Sequence, residues 1–146
     1  MIGIRWPLAL FMFALTAGTA SAATPADIAR EWGLIGRWAT DCAANLHAKN
    51  SVAYEITKEG RLTYRTDRVH EIADVRIGEN HMLILHTVFP EFRQTRENGI
   101  VLQADGTLRS IYNRDDAGNY TVRDGRFVAS GGETSGLHRC EGANSS

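Results

Sequence analysis

Apolar and polar residues alternate with a period of two over much of this chain. Val52, Tyr54 and Ile56 alternate with small or polar residues, and Leu62 and Tyr64 continue the pattern after a turn. Such alternation is typical of β-strands that bury one face and expose the other. The same pattern recurs in short segments as far as the C-terminal region, so the sequence predicts a protein built mainly of strands.

The segment from His81 to Phe89 is apolar at both sets of alternating positions, which predicts a central strand covered on both sides. Asp105-Gly106 and Asp124-Gly125 are two-residue hairpin signals. About eight to ten short strands at regular spacing indicate an antiparallel barrel or sandwich. We predict an all-β fold, an antiparallel meander closed into a small barrel, with a β-sandwich as the alternative.

A short helix is predicted before the first strand. Thr24 is a suitable N-cap, Pro25 suits the first helical position and Asp27 favours the positive end of the helix dipole. Apolar residues then recur at helical spacing, at Ile28, Trp32 and Ile35. Gly33 ends the helix. This helix is expected to cover one end of the β-structure.

Residues 1–22 resemble a secretory signal peptide. Arg5 precedes a short apolar run, and Ala20-Ser21-Ala22 fits the cleavage pattern. The run is shorter than the roughly 20 residues that a membrane span requires, although an uncleaved anchor is the alternative. The predicted organisation is therefore a signal peptide at 1–22, a single all-β domain at 23–140 and a polar tail at 141–146. The predicted location is periplasmic or secreted.

The chain contains two cysteines, Cys42 and Cys140. In an exported protein, two cysteines most simply form one disulfide, which here would join the first strand to the last. No Cys-x-x-Cys motif is present, so the bond is predicted to be structural. A bond between the first and last strands favours closure of the meander into a barrel.

The charge of the chain is nearly balanced, with 16 Lys and Arg against 17 Asp and Glu. This balance gives no reason to expect a nucleic-acid partner. After the leader, no apolar stretch is long enough to suggest a membrane span. A small hydrophobic ligand or a protein partner remains as the expected kind of partner.

Gly36-Arg37-Trp38, following a short helix, resembles the Gly-x-Trp opening of the lipocalin-like (calycin) β-barrels. The resemblance implies that Trp38 closes the floor of a barrel and packs against an arginine near the last strand. Arg139 is the first candidate for that arginine and Arg126 the second. The spacing of Trp38 and Cys42, with Arg139-Cys140 near the end, is also similar to small exported bacterial proteins of uncharacterised function.

Candidate chemistry is sparse. Five histidines are scattered without His-x-His or His-Glu-x-x-His spacing, so no metal site is predicted, and the cofactor is left unknown. His86 stands out because it lies on the most apolar strand, where it would face a lumen or be a hydrogen-bonded core residue. No nucleophile motif or other catalytic constellation is present, so we predict that the protein is not an enzyme.

The sequence therefore predicts a non-catalytic barrel that binds a small apolar or amphipathic ligand. Its predicted lining residues lie at apolar strand positions: Tyr54, Tyr64, Ile84, His86, Tyr112. The alternative is an interaction or inhibitor domain that acts through loops such as Gly131–Ser135. A cavity above about 300 Å³ would favour the first function, and a filled core with exposed apolar loop tips would favour the second.

Overall fold

The computed structural model describes residues 21–47 and 49–142. Most of the predicted signal peptide (1–20) and the end of the predicted tail (143–146) lie outside the described residues. Short 3₁₀ turns at Glu79–His81 and Pro90–Phe92 flank the fifth strand. The helix and strands are α1 Pro25–Trp32, β1 Gly36–Ala39, β2 Ser51–Ile56, β3 Leu62–Arg65, β4 Val69–Ile77, β5 Leu83–Phe89, β6 Gln94–Leu102, β7 Leu108–Asp115, β8 Tyr120–Arg123, β9 Arg126–Phe127 and β10 His138–Cys140.

The predicted helix is confirmed, and its ends follow from its sequence. The Thr24 side chain accepts a hydrogen bond from the Asp27 amide while the Asp27 carboxylate accepts one from the Thr24 amide, which completes a capping box. Gly33 ends the helix in the left-handed conformation, with φ of 88°. No helix in the described part of the chain is long and apolar enough to cross a membrane.

The strands form one antiparallel sheet of ten strands in the order β10-β1-β2-β3-β4-β5-β6-β7-β8-β9. Every strand from β1 to β9 is paired with its neighbour in sequence, so the predicted all-β meander is confirmed. The two Asp-Gly pairs lie in the tight β6–β7 and β8–β9 turns, where Gly106 and Gly125 have positive φ. The β6–β7 ladder has one register shift, between Gly99 and Ile100.

The sheet is not closed into a barrel. Leu137, just before β10, forms an isolated antiparallel bridge with Leu108 of β7, with two hydrogen bonds of 2.8 Å. This bridge brings β7 back towards the start of the sheet. No continuous ladder joins the two ends of the sheet in the described residues, because β8 and β9 extend beyond β7 as a separate hairpin.

The predicted disulfide between Cys42 and Cys140 is confirmed. It links the segment after β1 to the end of β10, and these two strands also pair directly through three residue pairs. The covalent bond and the ladder therefore hold β10, which is an edge strand, against β1.

One face of the sheet carries the hydrophobic core, and we call it the inner face. The core includes residues from α1, from the segment after it and from most strands: Ala29, Leu34, Trp38, Tyr54, Leu62, Ile72, Val75, Leu83, Leu85, Ile100, Leu108. The end of the core near α1 is filled by large buried side chains such as Leu34, Trp38 and Leu83. The inner face is less completely filled at the end of the strands away from α1.

Candidate functional site

An open cavity of about 390 Å³ lies on the inner face of the sheet. Apolar side chains of the core line one part of it, and short polar side chains line the rest. The lining comprises Asn50, Ser51, Val52, Tyr54, Thr66, Asn98, Ile100, Leu108, Ser110, Asn113, Thr121, Val122, Phe127, Thr134, Ser135 and Leu137. The cavity is therefore amphipathic and contains no ionisable carboxylate or imidazole in its lining.

Tyr54 is the largest buried polar residue of this cavity. Only 6% of Tyr54 is exposed, and no hydrogen bond joins its hydroxyl to any described residue. Burial, together with the neighbouring Tyr64, raises the pKa of the Tyr54 hydroxyl far above its ordinary value. The hydroxyl is thus neutral at physiological pH, and it is an unused hydrogen-bond donor and acceptor next to the cavity.

Two asparagines place further hydrogen-bonding groups along the same wall. The Ser110 hydroxyl donates to Asn98 Oδ1 at 2.7 Å, and the Thr121 hydroxyl donates to Asn113 Oδ1 at 2.9 Å. Both amide oxygens are therefore engaged and both side chains are held in place. Neither Nδ2 group donates to another described residue, so each remains available to a ligand.

A smaller cavity of about 120 Å³ shares Tyr54, Asn98 and Asn113 with the first. It also contacts Tyr64, Phe89 and Arg96. The pKa of Tyr64 is raised to about 12, mainly by burial. The shared residues make the two cavities neighbours, and we call the two together the inner cavity.

Aromatic residues pack behind the smaller part of the inner cavity. The His70 ring lies between Tyr64 and Phe89, with ring centroids 5.2 and 4.5 Å away. His70 Nε2 lies 2.9 Å from Glu91 Oε1, and this contact lowers the pKa of Glu91. The buried Nδ1 of His70 has no hydrogen-bond partner within the part of the chain that the structure describes.

A second polar cluster lies on the opposite, outer face of the sheet and is centred on Glu97. The Glu97 side chain is only 9% exposed. Its Oε1 accepts hydrogen bonds of 2.8 Å from the Tyr112 hydroxyl and from Arg114 Nη2. Its Oε2 lies 3.2 Å from Arg76 Nη2 and 2.9 Å from His86 Nε2. Four side chains from three neighbouring strands therefore converge on one carboxylate.

The ionised form of Glu97 is stabilised by this environment. Burial alone would raise its pKa, but the Tyr112 hydrogen bond and the charge and hydrogen bond of Arg114 outweigh burial and lower the pKa below its usual value of 4.5. Burial, together with the hydrogen bond and charge of Glu97, raises the pKa of Tyr112 to about 12. The cluster lines an outer groove of about 470 Å³ that also contacts Arg123 and Asp124.

Glycine at position 99 allows the Tyr112 ring to reach this cluster. A Cβ atom on residue 99 would lie 2.2 Å from the Tyr112 ring and 2.7 Å from Met82 Sδ. The ring therefore lies across the backbone of β6 where no side chain intervenes, with its hydroxyl directed at Glu97.

We expect Glu97→Gln to lower the free energy of unfolding by about 1–3 kcal/mol at pH 7, because charged hydrogen bonds are lost and an amide NH₂ would face donors. The pKa of Glu97 is depressed in the folded state, so its stabilisation is present above pH 4.5 and is lost as the pH falls through the folded value. The difference between variant and wild type should therefore shrink at pH 3.5. Urea denaturation at both pH values measures it.

Glu133→Gln is the matched control, because Glu133 is 62% exposed and pairs with Arg126 and Arg109 at the surface. Glu133→Gln should change the free energy of unfolding by less than about 0.5 kcal/mol at both pH values. A Glu97→Gln variant as mild as this control, or equally destabilised at both pH values, would contradict the assigned role of the cluster.

The structure places the predicted ligand-binding residues on two faces of the sheet. Tyr54 and Tyr64 line the inner cavity. Ile84, His86 and Tyr112 share the outer face with Glu97, since Ile84 and Tyr112 both align with Gly99 and His86 aligns with Glu97. In β5 the inward residues are instead Leu83, Leu85 and Thr87, all buried. One ligand in the inner cavity would therefore contact the first pair and not the second set.

Trp38 and Arg139 are brought together at the β1–β10 pair. The Arg139 guanidinium carbon lies 4.4 Å from the Trp38 ring centroid, and Arg139 also donates hydrogen bonds to the carbonyl oxygens of Ile35 and Gly33. Arg126, the second candidate partner, instead binds Glu133. The indole Nε1 of Trp38 donates to the Leu34 carbonyl at 2.8 Å.

The loop Gly131–Ser135 is fastened to the sheet. Thr134 is buried, and its hydroxyl donates to the Ser110 carbonyl at 2.7 Å and accepts from Arg109 Nε at 3.1 Å. The exposed apolar residues in this region belong to the neighbouring hairpin, where Phe127 is 43% and Val128 58% exposed.

Sequence reasoning missed most of the polar residues of these sites, among them Arg96, Glu97, Asn98 and Asn113. Arg96 and Asn98 could have been found from their spacing, because they lie four and two positions before Ile100, a buried core residue, and so point to the same face of the strand. The sequence around Glu97 gives no comparable indication, because the side chains that contact its carboxylate come from other strands. The register between strands, rather than the local pattern, assembles its cluster.

Within residues 21–47 and 49–142, no group of three or more His, Cys, Asp or Glu side chains is arranged to hold a metal ion. Searches against protein-family models, curated proteins and solved structures found no match to this chain. The resemblance to lipocalin-like barrels therefore stays a prediction from the Gly36-Arg37-Trp38 element.

Proposed function

We propose that this chain is a non-catalytic exported protein that binds one small apolar or amphipathic molecule in the inner cavity. The observation that carries the proposal is the lining of that cavity, which combines apolar core residues with hydroxyls and amides around a volume of about 390 Å³ in its larger part. Pockets that bind small molecules typically have volumes from about 300 to 1,000 Å³ and combine an apolar lining with a few placed polar groups. A periplasmic location and a lipocalin-like relationship are the finer form of this proposal.

The composition of the cavity lining favours binding over catalysis. Its polar groups are hydroxyls and amides, such as Tyr54, Asn98 and Asn113, and these groups orient a ligand through hydrogen bonds. General acid–base catalysis usually relies on a histidine or carboxylate within reach of the reacting group. The lining of the larger cavity offers neither.

Export is supported by the disulfide. Disulfide bonds persist in oxidising compartments and are rare in the cytosol.

Native mass spectrometry of protein recovered from the periplasm would test both export and ligand binding. A mass for residues 23–146 less two hydrogens supports cleavage after Ala22 and the disulfide, and an additional bound mass identifies a ligand. The full-length mass in that fraction would contradict the predicted cleavage.

We expect Val52→Trp to reduce binding of a small ligand at least about tenfold, because the indole would occupy the cavity that Val52 lines. Isothermal titration calorimetry with 1-decanol, an amphipathic probe, measures this effect. Val69→Trp is the matched control, since Val69 is 60% exposed on β4 and does not line the cavity. Equal binding by wild type and Val52→Trp would contradict an inner-cavity site.

Exposed Phe127 and Val128 favour a second candidate function, contact with a protein partner through the β8–β9 hairpin. Phe127 ends β9 and Val128 follows it, and adjoining exposed apolar residues are typical of surfaces that contact another protein. Val128→Ser should weaken such a complex while leaving ligand binding in the inner cavity unchanged, because Val128, unlike Phe127, does not line that cavity.

A further inference from the structure

Arg96 is the cationic residue that lines the inner cavity. It lies on β6 in the smaller part, and its guanidinium carbon is 5.6 Å from the centroid of the Phe89 ring. Its Nε donates to Gln94 Oε1 at 3.2 Å. Among the described residues, its two terminal nitrogens donate no hydrogen bond and no carboxylate forms an ion pair with it.

The acids closest to this end of the inner face are already engaged. Asp115 is opposite Arg96 in the β6–β7 register, but its carboxylate accepts from the Asn119 amide at 2.8 Å, from Asn119 Nδ2 at 3.0 Å and from Gln94 Nε2 at 3.3 Å. Glu91 contacts His70 at 2.9 Å and Arg68 at 3.6 Å. The half-buried Arg96 guanidinium is therefore left with free donors at the wall of the inner cavity.

Tyr54 provides an independent second group at the same place. Its side chain is more than nine-tenths buried, lines both parts of the inner cavity and has a hydroxyl without a described partner. The hydroxyl oxygen is not among the fully buried atoms without a partner, so it is open to the cavity and available to a molecule that enters it. A carboxylate oxygen would accept from Tyr54 and from Arg96 together.

The larger part of the inner cavity offers a complementary apolar surface. Ile100, Leu108 and Val122 are buried core residues that line it. One molecule with an acidic end and an apolar body would match both parts, with the acid near Arg96 and the body along these residues. A charge-assisted hydrogen bond to such a head group is stronger than a hydrogen bond between neutral groups.

We infer that the ligand of the inner cavity is a small amphiphile with an acidic head group, a carboxylate in the simplest case, which Arg96 and the Tyr54 hydroxyl bind. This inference rests on the proposed function, and it adds the chemical class of the ligand and the residues that recognise it. Neither Arg96 nor its role is implied by the Gly36-Arg37-Trp38 resemblance.

The test compares decanoate with 1-decanol, which has the same chain length and no charge, by calorimetry at pH 8. Wild type should bind decanoate at least about tenfold more tightly, since tenfold corresponds to about 1.4 kcal/mol and a charge-assisted hydrogen bond can supply it. Arg96→Gln should reduce this preference to less than about twofold and leave 1-decanol binding unchanged. Tyr54→Phe should weaken decanoate binding several-fold.

Arg93→Gln is the matched control, because it removes the same charge from an exposed residue three positions away. It should keep the decanoate preference. Equal affinity of wild type for both probes, a loss of both probes in Arg96→Gln, or the same change in Arg93→Gln would overturn the inference while the cavity remained a binding site. Binding of neither probe would overturn the proposed function itself. The wild-type comparison stands even if a variant fails to fold.

Discussion

Replacing Cys42 and Cys140 by Ser is expected to lower the free energy of unfolding by about 2–5 kcal/mol. The disulfide joins residues separated by 98 positions. In the chain-entropy model, a cross-link that closes a loop of about 100 residues reduces the entropy of the unfolded state and so stabilises the fold by about 4.7 kcal/mol. Measured contributions of disulfides are often smaller. A domain of this size has only about 5–15 kcal/mol of stability in total, so the variant should be close to the limit of folding at 37 °C.

Urea denaturation of oxidised wild type and of the double Ser variant measures this effect, and reduced wild type provides the matched control. Because β10 is held by three residue pairs and the disulfide, its amides should also exchange with deuterium faster in the variant than those of β6. A loss below about 1 kcal/mol, or unchanged exchange in β10, would contradict the structural role of the bond.

Trp38→Ala is expected to cost about 3–5 kcal/mol, the usual range for removing a large buried aromatic residue. Trp38 is 1% exposed and belongs to the core near α1. The change would open a cavity there, remove the indole bond to the Leu34 carbonyl and leave Arg139 without its aromatic partner. Arg139→Ala should be milder, because the Trp38 ring would stay buried.

Trp32→Ala is the matched control for Trp38→Ala. Trp32 is only half-buried, although its Nε1 also donates a 2.8 Å hydrogen bond, to the His81 carbonyl. Its removal should cost clearly less, and thermal and urea unfolding of the three variants gives the comparison. If Trp32→Ala proved as costly as Trp38→Ala, the packing of Trp38 against Arg139 would not be the main support of this end of the fold.

Local chemistry made much of the fold predictable. The helix was evident from Thr24, Pro25 and Gly33, because each suits one position at a helix end. The hairpins were evident from the Asp-Gly pairs, and the disulfide from the number of cysteines. Closure into a barrel was not predictable, since it depends on how far the sheet bends and on whether its last strands pair, and neither property is local.

The candidate site was only partly predictable for a related reason. Strand β5 is apolar on both faces, so its sequence does not show to which face His86 points. The packing of Leu83 and Leu85 into the core shows that His86 points to the outer face. Tyr54 belongs to the core of the inner face, and Val52 and Ile56, the apolar residues that alternate with polar or small ones along β2, pack against the same core. Arg96 and Asn98 occupy inward positions that polar residues seldom take, so hydrophobicity alone did not reveal them.

The bond between Cys42 and Cys140 also determines how the protein responds to mechanical tension. A pulling force applied at the two ends of the domain passes directly through the sulfur atoms, so the polypeptide between the cysteines carries none of it. Only α1 and β1 on one side, and the residues after Cys140 on the other, can be drawn out. The inner cavity, built mainly on β2 and β6 to β8, would keep its shape under a load that detached the N-terminal helix.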